Sequence, residues 1–518
     1  MASLSDLLDS LGRSRKASPA PARNPYLEGN FAPVGREGDF PSLEVRSGEV
    51  PRDLRGALYR TSPGPRFEPV RRDLYHWFDG DGVIDAFHIE DGGVSHKNRW
   101  VRTEKLALEE HAGRALFGGI LDFATSTGPE GWLALGFKPL ELLGMRARAL
   151  LGLHPTEEQM KRMMRAHDRS NTSIVHMAGR LLTLIESSAA HEIDPKTLAT
   201  RGRFTFGGVV DGLRSMVAHP KIDPETGTIY TFGYWLGQPG LTYYVFGADG
   251  ESRLVRDIET TYPSMMHDFS VTETRAIFYH LPAVLHFGDA KTTNTVRWQP
   301  SRGARIGVTL RDDPKAPVRW FDIPPCYIYH PMNAFDDGAA VVLDVVRYPR
   351  VPLFDPGGEL ANPNVEEYPP AQLVRIRIDL ETGAITESSF DDVPVEFPVV
   401  DPRRATRRYR YGWTAARRGV TCGRGSMNAI ARFDVETGEV KYRTLGRSSY
   451  TLEPIFVPRS PDAPEGDGYL LAVVYHAQED ASDLLILDAI DIEREPIAVV
   501  RTRQRVPYGF HGTWVPTA

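Results

Sequence analysis

The chain has 518 residues, is 41% hydrophobic and 25% charged, and carries a net charge of −7, a composition ordinary for a soluble protein. Neither that charge balance nor any basic stripe with interleaved aromatics suits nucleic acid, and no apolar stretch approaches the roughly 18 residues of a spanning helix. Two cysteines, Cys326 and Cys422, cannot build a disulfide framework or a zinc cluster and suit a reducing compartment, so a cytoplasmic location is expected.

Residues 1–23 mix Ser, Ala, Pro, Arg and Lys without the apolar core of a signal peptide, and a short disordered arm is expected there. From Asn24 the chain reads as a single domain, 24–518. Its 40 prolines and 47 glycines are spread throughout, which favours many short strands over long helices. Gly56 to Arg60 reads as a strand. Tyr75-His76-Trp77-Phe78-Asp79-Gly80-Asp81-Gly82 is an aromatic block closed by two Asp-Gly turns. Val83 to Ile89 and Val94 to Val101 then predict a hairpin across Glu90-Asp91-Gly92-Gly93. Between Glu104 and Asp168 the strand rhythm breaks. Glu104 to Leu116 has helical periodicity, and so does Thr156 to His167, opened by Pro155 and Thr156 with acids in its first turn. Residues 104–168 are therefore expected to form a helical and loop cap over the core. Within it, the apolar stretch 132–153, with Lys138, Arg146 and Arg148 interspersed, suggests peripheral contact with a membrane interface.

After Asn171 strands resume and a weak repeat emerges. Ile193-Asp194-Pro195-Lys196-Thr197, Ile222-Asp223-Pro224-Glu225-Thr226-Gly227, Ile378-Asp379-Leu380-Glu381-Thr382-Gly383 and Phe433-Asp434-Val435-Glu436-Thr437-Gly438 share one turn chemistry: Asp caps the turn and Gly takes positive φ. Apolar strands flank each copy. Hairpins recurring over hundreds of residues predict an all-β propeller, since a sandwich would need fewer strands.

Most of the 15 histidines look unremarkable, and His96, His111, His154, His167 and His191 read as solvated. Four differ. His219, His267, His330 and His511 each end or punctuate an apolar strand, and their separations place them on different sheets. A lone histidine among aromatics is more often a hydrogen-bonded core residue. In a propeller, however, single histidines from separate blades can meet on the axis, where imidazole suits Fe, Zn, Cu or Ni. Ligating imidazoles need acceptors for their outer N–H groups. Glu186, Glu396 and Glu453 lie inside apolar strands, where an unpartnered acid is costly, and they are candidates for that part.

These residues, with Pro51-Arg52-Asp53-Leu54-Arg55-Gly56, His76 to Gly82, His219-Pro220-Lys221-Ile222-Asp223-Pro224, His267-Asp268-Phe269, His330 to Phe335, Glu453-Pro454-Ile455-Phe456 and Gly509 to Trp514, resemble the carotenoid cleavage oxygenases from about Asn24 to the end. The resemblance implies a seven-bladed β-propeller whose axis binds one Fe(II) through His219, His267, His330 and His511. Glu186, Glu396 and Glu453 then act as outer acceptors, and O2 is the co-substrate. The expected reaction is oxidative cleavage of a C=C bond of a carotenoid or apocarotenoid into two carbonyls, with no obligate protein partner evident. Stilbene-cleaving members grip a phenol with Tyr and Lys at positions matched here by Trp100 and Ile185. Both handles are missing, which argues for an apolar polyene. Cleavage of aryl alkenes such as lignostilbene, resveratrol or isoeugenol is the alternative; a hydrophobic-ligand propeller without catalysis is the third reading. The isomerase branch is disfavoured because its cysteine cluster has no counterpart.

Overall fold

The computed structural model describes residues 24–119, 127–150, 156–186, 188–211, 214–234, 238–285, 296–352, 370–419 and 427–517. The expectations for 1–23, His154 and Cys422, and the parts of the 104–168 cap and its 132–153 stretch at 120–126 and 151–155, lie outside these residues. The described strands form seven antiparallel blades around one axis. Four of them are plain four-stranded sheets built from consecutive strands, such as Ser173–Met177, Arg180–Leu184, Ala190–Ile193 and Thr200–Phe204. The ring closes at both chain ends. Gly512–Pro516 pairs with Gly56–Pro63 in the first blade, while Glu44–Gly48 adds to Ala498–Arg501 on the edge of the last. Closure of this kind joins the two ends of the chain into the ring, so that no blade stands at an open end.

Local chemistry accounts for the blades. The hairpin after Gly82–Glu90 turns at Asp91 and Gly92, with φ of 50° and 79°, as the Asp-Gly pair dictates. In the repeated turns, Asp194 Oδ1 accepts the amides of Lys196 and Thr197 at 3.0 and 2.7 Å. Asp379 does the same for Glu381 and Thr382 at 3.0 and 2.8 Å, and Asp223 and Asp434 repeat the pattern. Alternate apolar residues then fill the space between blades. Phe232, Phe269, Phe278, Ile306, Leu343 and Ile376, from three successive blades, are almost wholly buried in one continuous core.

The cap region holds helices at Glu104–Ala112, Pro129–Ala134, Pro139–Leu150 and Glu157–His167. The first ends four residues earlier than its periodicity suggests, because Gly113 takes φ 67° and stops it with a left-handed cap. Glu109 Oε1 then gathers the amides of Leu116 and Phe117 at 2.9 and 3.3 Å. The last helix opens on a capping box between Thr156 and Gln159. Both ends of the cap are clamped to the Asp79–Asp81 block. Lys105, buried, reaches Asp81 at 2.6 Å and Glu109 at 2.7 Å. Arg169 donates to the carbonyls of Asp79 at 2.7 Å and Gly118 at 3.0 Å. Burial works against the charge on Lys105, but the two carboxylates outweigh it and raise its pKa.

Of the histidines expected to be solvated, two are interior and His167 is half-buried, with burial pushing its pKa down to about 3. His96 Nε2 bonds Asp85 at 2.8 Å and its ring stacks on Phe87 at 4.6 Å; His191 is likewise buried, 3.8 Å from Asp168. The polar neighbours that suggested solvent are on the opposite face of each strand.

Candidate metal centre

Three of the four singled-out histidines sit at the same place in successive blades. His219 precedes Lys221–Ile222, His267 precedes Phe269–Val271, and His330 lies early in Tyr327–Asp337, each the edge strand that begins its blade. His511 precedes Gly512–Pro516, the edge strand that closes the first. Four edges meeting at one height bring four rings together. His219 Nε2 comes within 3.0 Å of His267 Nε2, which lies 3.2 Å from His330 Nε2. These three offer donor atoms all within 4.8 Å of one another. The His511 ring lies 4.5 Å from that of His219 and 4.8 Å from that of His330, centre to centre.

Behind three of the rings stand the three glutamates. His267 Nδ1 bonds Glu186, His330 Nδ1 bonds Glu396 at 2.6 Å, and His511 Nδ1 bonds Glu453 at 2.8 Å. Each carboxylate is held from its other side as well. Tyr234 donates its phenol to Glu186, Tyr348 donates to Glu396 at 2.9 Å, and the Gly512 N–H donates to Glu453 at 2.7 Å. With their outer nitrogens bonded to carboxylates, the inner nitrogens of His267 and His330 face the centre beside that of His219, while His511 joins them through the ring contacts given above. Chelation by neutral imidazole with carboxylate support is a donor set that fits a first-row transition ion.

Electrostatics favour the neutral ring at His219 and His511 but not at His330. Burial, and then the rings of His511, His267 and His330, hold His219 well below the usual histidine value. Burial also outweighs Glu453 at His511 and lowers it. At His330 burial opposes charge, but Glu396 reverses the balance and the pKa is raised.

Several neighbours escape a sequence reading. Phe397 stacks on His330 at 5.5 Å and approaches His511 at 5.6 Å, and it does so from a left-handed φ of 55° at a bulge between Glu396 and Val399. A non-glycine residue held there is strained, and such strain concentrates at functional sites. Tyr329 meets the His267 ring edge-on at 5.0 Å; the alternation Tyr327-Ile328-Tyr329-His330 was the available signal. Asp268, next to His267, lies 3.9 Å from His219 Nδ1.

Trp100 and Ile185 are not part of this cluster. Trp100 is buried beside Val83 and Leu106, its indole N–H donates to the Gly64 carbonyl at 3.1 Å, and the Arg66 guanidinium lies over its ring at 4.7 Å. Among the described residues, no hydrogen bond or ring contact joins it to the histidines. Ile185, half-buried, follows the strand Arg180–Leu184 and precedes Glu186.

A family profile described as retinal pigment epithelial membrane protein matches residues 31–516. The chain is 33% identical over 511 residues to an isoeugenol monooxygenase of Pseudomonas nitroreducens, covering 95% of this chain and 98% of that protein. It is 31% identical to the apocarotenoid-15,15'-oxygenase of Synechocystis, covering 92% and 93%. Among solved structures it is similar to the lignostilbene dioxygenase of Pseudomonas brassicacearum, with a TM-score of 0.81, 28% identity and coverage of 97% and 100%. A cobalt-substituted Synechocystis enzyme gives a TM-score of 0.78 at 30% identity, covering 94% and 97%. A seven-bladed propeller with histidines gathered on its axis defines the class, and the chain belongs to the carotenoid cleavage oxygenase family that includes the retinal pigment epithelial membrane protein. It is an oxygenase of that type.

Proposed function

We propose that the protein is a non-haem Fe(II) dioxygenase that cleaves one C=C bond of an apocarotenoid or carotenoid into two carbonyl products. The observation that carries the reading is the convergence of His219, His267, His330 and His511 in front of Glu186, Glu396 and Glu453. Iron bound there would supply O2 activation beside the alkene. The chain's own work is orientation. The three glutamates fix the tautomer and aim of their imidazoles, while Phe397 and Tyr329 pack against the rings and limit how far they can tilt.

A polyene is favoured over a phenol by Ile185, which adjoins Glu186 and has no polar group to offer a hydroxyl. Trp100, packed beside Val83 and Leu106 away from the histidines, does not bear on the choice. Aryl-alkene cleavage is the second reading, favoured by the two isoeugenol monooxygenases among the relatives, at 33% and 32% identity. Aerobic incubation of the iron-loaded protein with an apocarotenal and separately with isoeugenol and resveratrol, followed by mass spectrometry, decides between them. Shortened aldehydes from the apocarotenal alone are expected. Turnover of the aryl alkenes alone would overturn the polyene reading.

We further propose that the helices Pro129–Ala134 and Pro139–Leu150 rest on a membrane interface, with the polyene drawn from the lipid. Support comes from Leu133, Leu140 and Leu143, which are 47%, 82% and 42% exposed, an unusual density of bare leucine for a solvated surface. No described helix is long and apolar enough to cross a membrane.

A further inference from the structure

Three of the four axial histidines bond a carboxylate through Nδ1. His219 does not. The carboxylate nearest its Nδ1 is that of Asp268, and at 3.9 Å it is beyond hydrogen-bond range. Asp268 is buried, 3% exposed, and is engaged elsewhere. Its Oδ1 accepts the Phe269 N–H at 2.7 Å, and Lys221 Nζ reaches both oxygens, Oδ1 at 2.8 Å and Oδ2 at 3.0 Å. Lys221, on the strand Lys221–Ile222, stands two residues beyond His219, so the lysine and the imidazole approach one acid from the same short segment.

We propose that Lys221 tunes the fourth ligand: by engaging Asp268 it withholds that carboxylate from His219 and leaves this imidazole the weakest donor of the four. An imidazole whose outer N–H bonds a carboxylate is a more basic ligand than one whose N–H does not. Lys221 and Asp268 are positioning residues, acting on the metal only through His219. Removing the ammonium leaves a buried carboxylate short of a partner, an expensive state, and His219 Nδ1, 3.9 Å away, stands where it can take the place of the lysine.

The inference rests on the reading of the four histidines as iron ligands. It is tested on full-length, iron-reconstituted protein with Lys221→Met, Asp268→Asn and the double variant. Iron affinity is measured by chelator competition, and the ferrous site is probed with nitric oxide by electron paramagnetic resonance. Lys221→Met is expected to tighten iron by about 10-fold, the low end of outer-partner effects, and to change the anisotropy of the nitrosyl spectrum. The double variant is expected to return to within about threefold of the parent, because the neutral amide lacks the charge that strengthens the imidazole. Should Lys221→Met not fold, as judged by near-ultraviolet circular dichroism, Lys221→Gln replaces it with a smaller shift of the same sign. A folded variant whose affinity stays within about twofold of the parent, where outer-partner changes are normally larger, with an unchanged spectrum, overturns the inference; so does a tightening that survives in the double variant. A parent protein that binds no iron would instead overturn the metal reading itself.

Discussion

The axis and the cap use charge in opposite ways. On the axis, each of Glu186, Glu396 and Glu453 bonds one imidazole and is held from behind by a phenol or a backbone amide, so the charges aim ligands at a point. In the cap, Lys105 lies between Asp81 and Glu109, and Arg169 grips backbone carbonyls, so the charges join two segments and aim at nothing. The four axial histidines are buried, with Glu186 half-buried behind them, whereas the cap leaves Leu133, Leu140 and Leu143 exposed. Damage to the first should therefore appear in the metal and damage to the second in stability or surface binding.

The sharpest break is expected from His330→Ala. Loss of a ligand should weaken iron by more than the roughly 100-fold upper bound typical of outer partners and abolish turnover, with iron content read by plasma mass spectrometry. Glu396→Gln keeps the shape of the side chain but removes its charge. It should weaken iron by roughly 10- to 100-fold without unfolding the chain, and loss of folding instead would blur the contrast between axis and cap. In the cap, Lys105→Met should cost about 3 to 5 kcal/mol in urea unfolding, because two buried acids lose their cation, while iron per folded chain stays unchanged.

A smaller effect concerns acid. His280 donates from Nε2 to the Tyr262 carbonyl at 3.0 Å and accepts Arg305 Nε at its Nδ1 at 3.3 Å, which requires the neutral ring. Burial, opposed by the bond to Tyr262 and aided by Arg305, lowers its pKa to about 4. The unfolded chain then binds the proton first, so the stability is present above about pH 6.5 and is lost as pH falls toward about 4. The thermal midpoint should decline over that window, and His280→Gln should flatten the decline. Smallest for stability is Leu140→Asp with Leu143→Asp, exposed changes expected to shift unfolding by no more than about 0.5 kcal/mol. Binding to liposomes should nevertheless fall, and retention of full binding would remove the membrane reading of the cap.

Much of this was legible in the chain because it was local. The Asp-x-x-Thr-Gly turns carry their own acceptors, so they declared strands on either side, and the histidines stood out because each punctuates an apolar run. Long-range pairings were not legible. His96 and His191 were misjudged from polar neighbours, since burial depends on which face of a strand meets the next blade. The helical periodicity from Glu104 runs on to Leu116, whereas Gly113 caps the helix after Ala112. Phe397 gave no sign of its left-handed backbone. Asp268 and Lys221 lay within quoted motifs, but their engagement with each other depends on two blades meeting.

The central claim is that four imidazoles from four edges form one metal centre. X-ray absorption on the iron-loaded protein and on His511→Ala tests it most directly. The expected result is a nitrogen-rich coordination sphere whose imidazole scattering fits four rings in the parent and one fewer in the variant. A sphere dominated by oxygen or sulfur, or a variant that keeps all four rings, would contradict it.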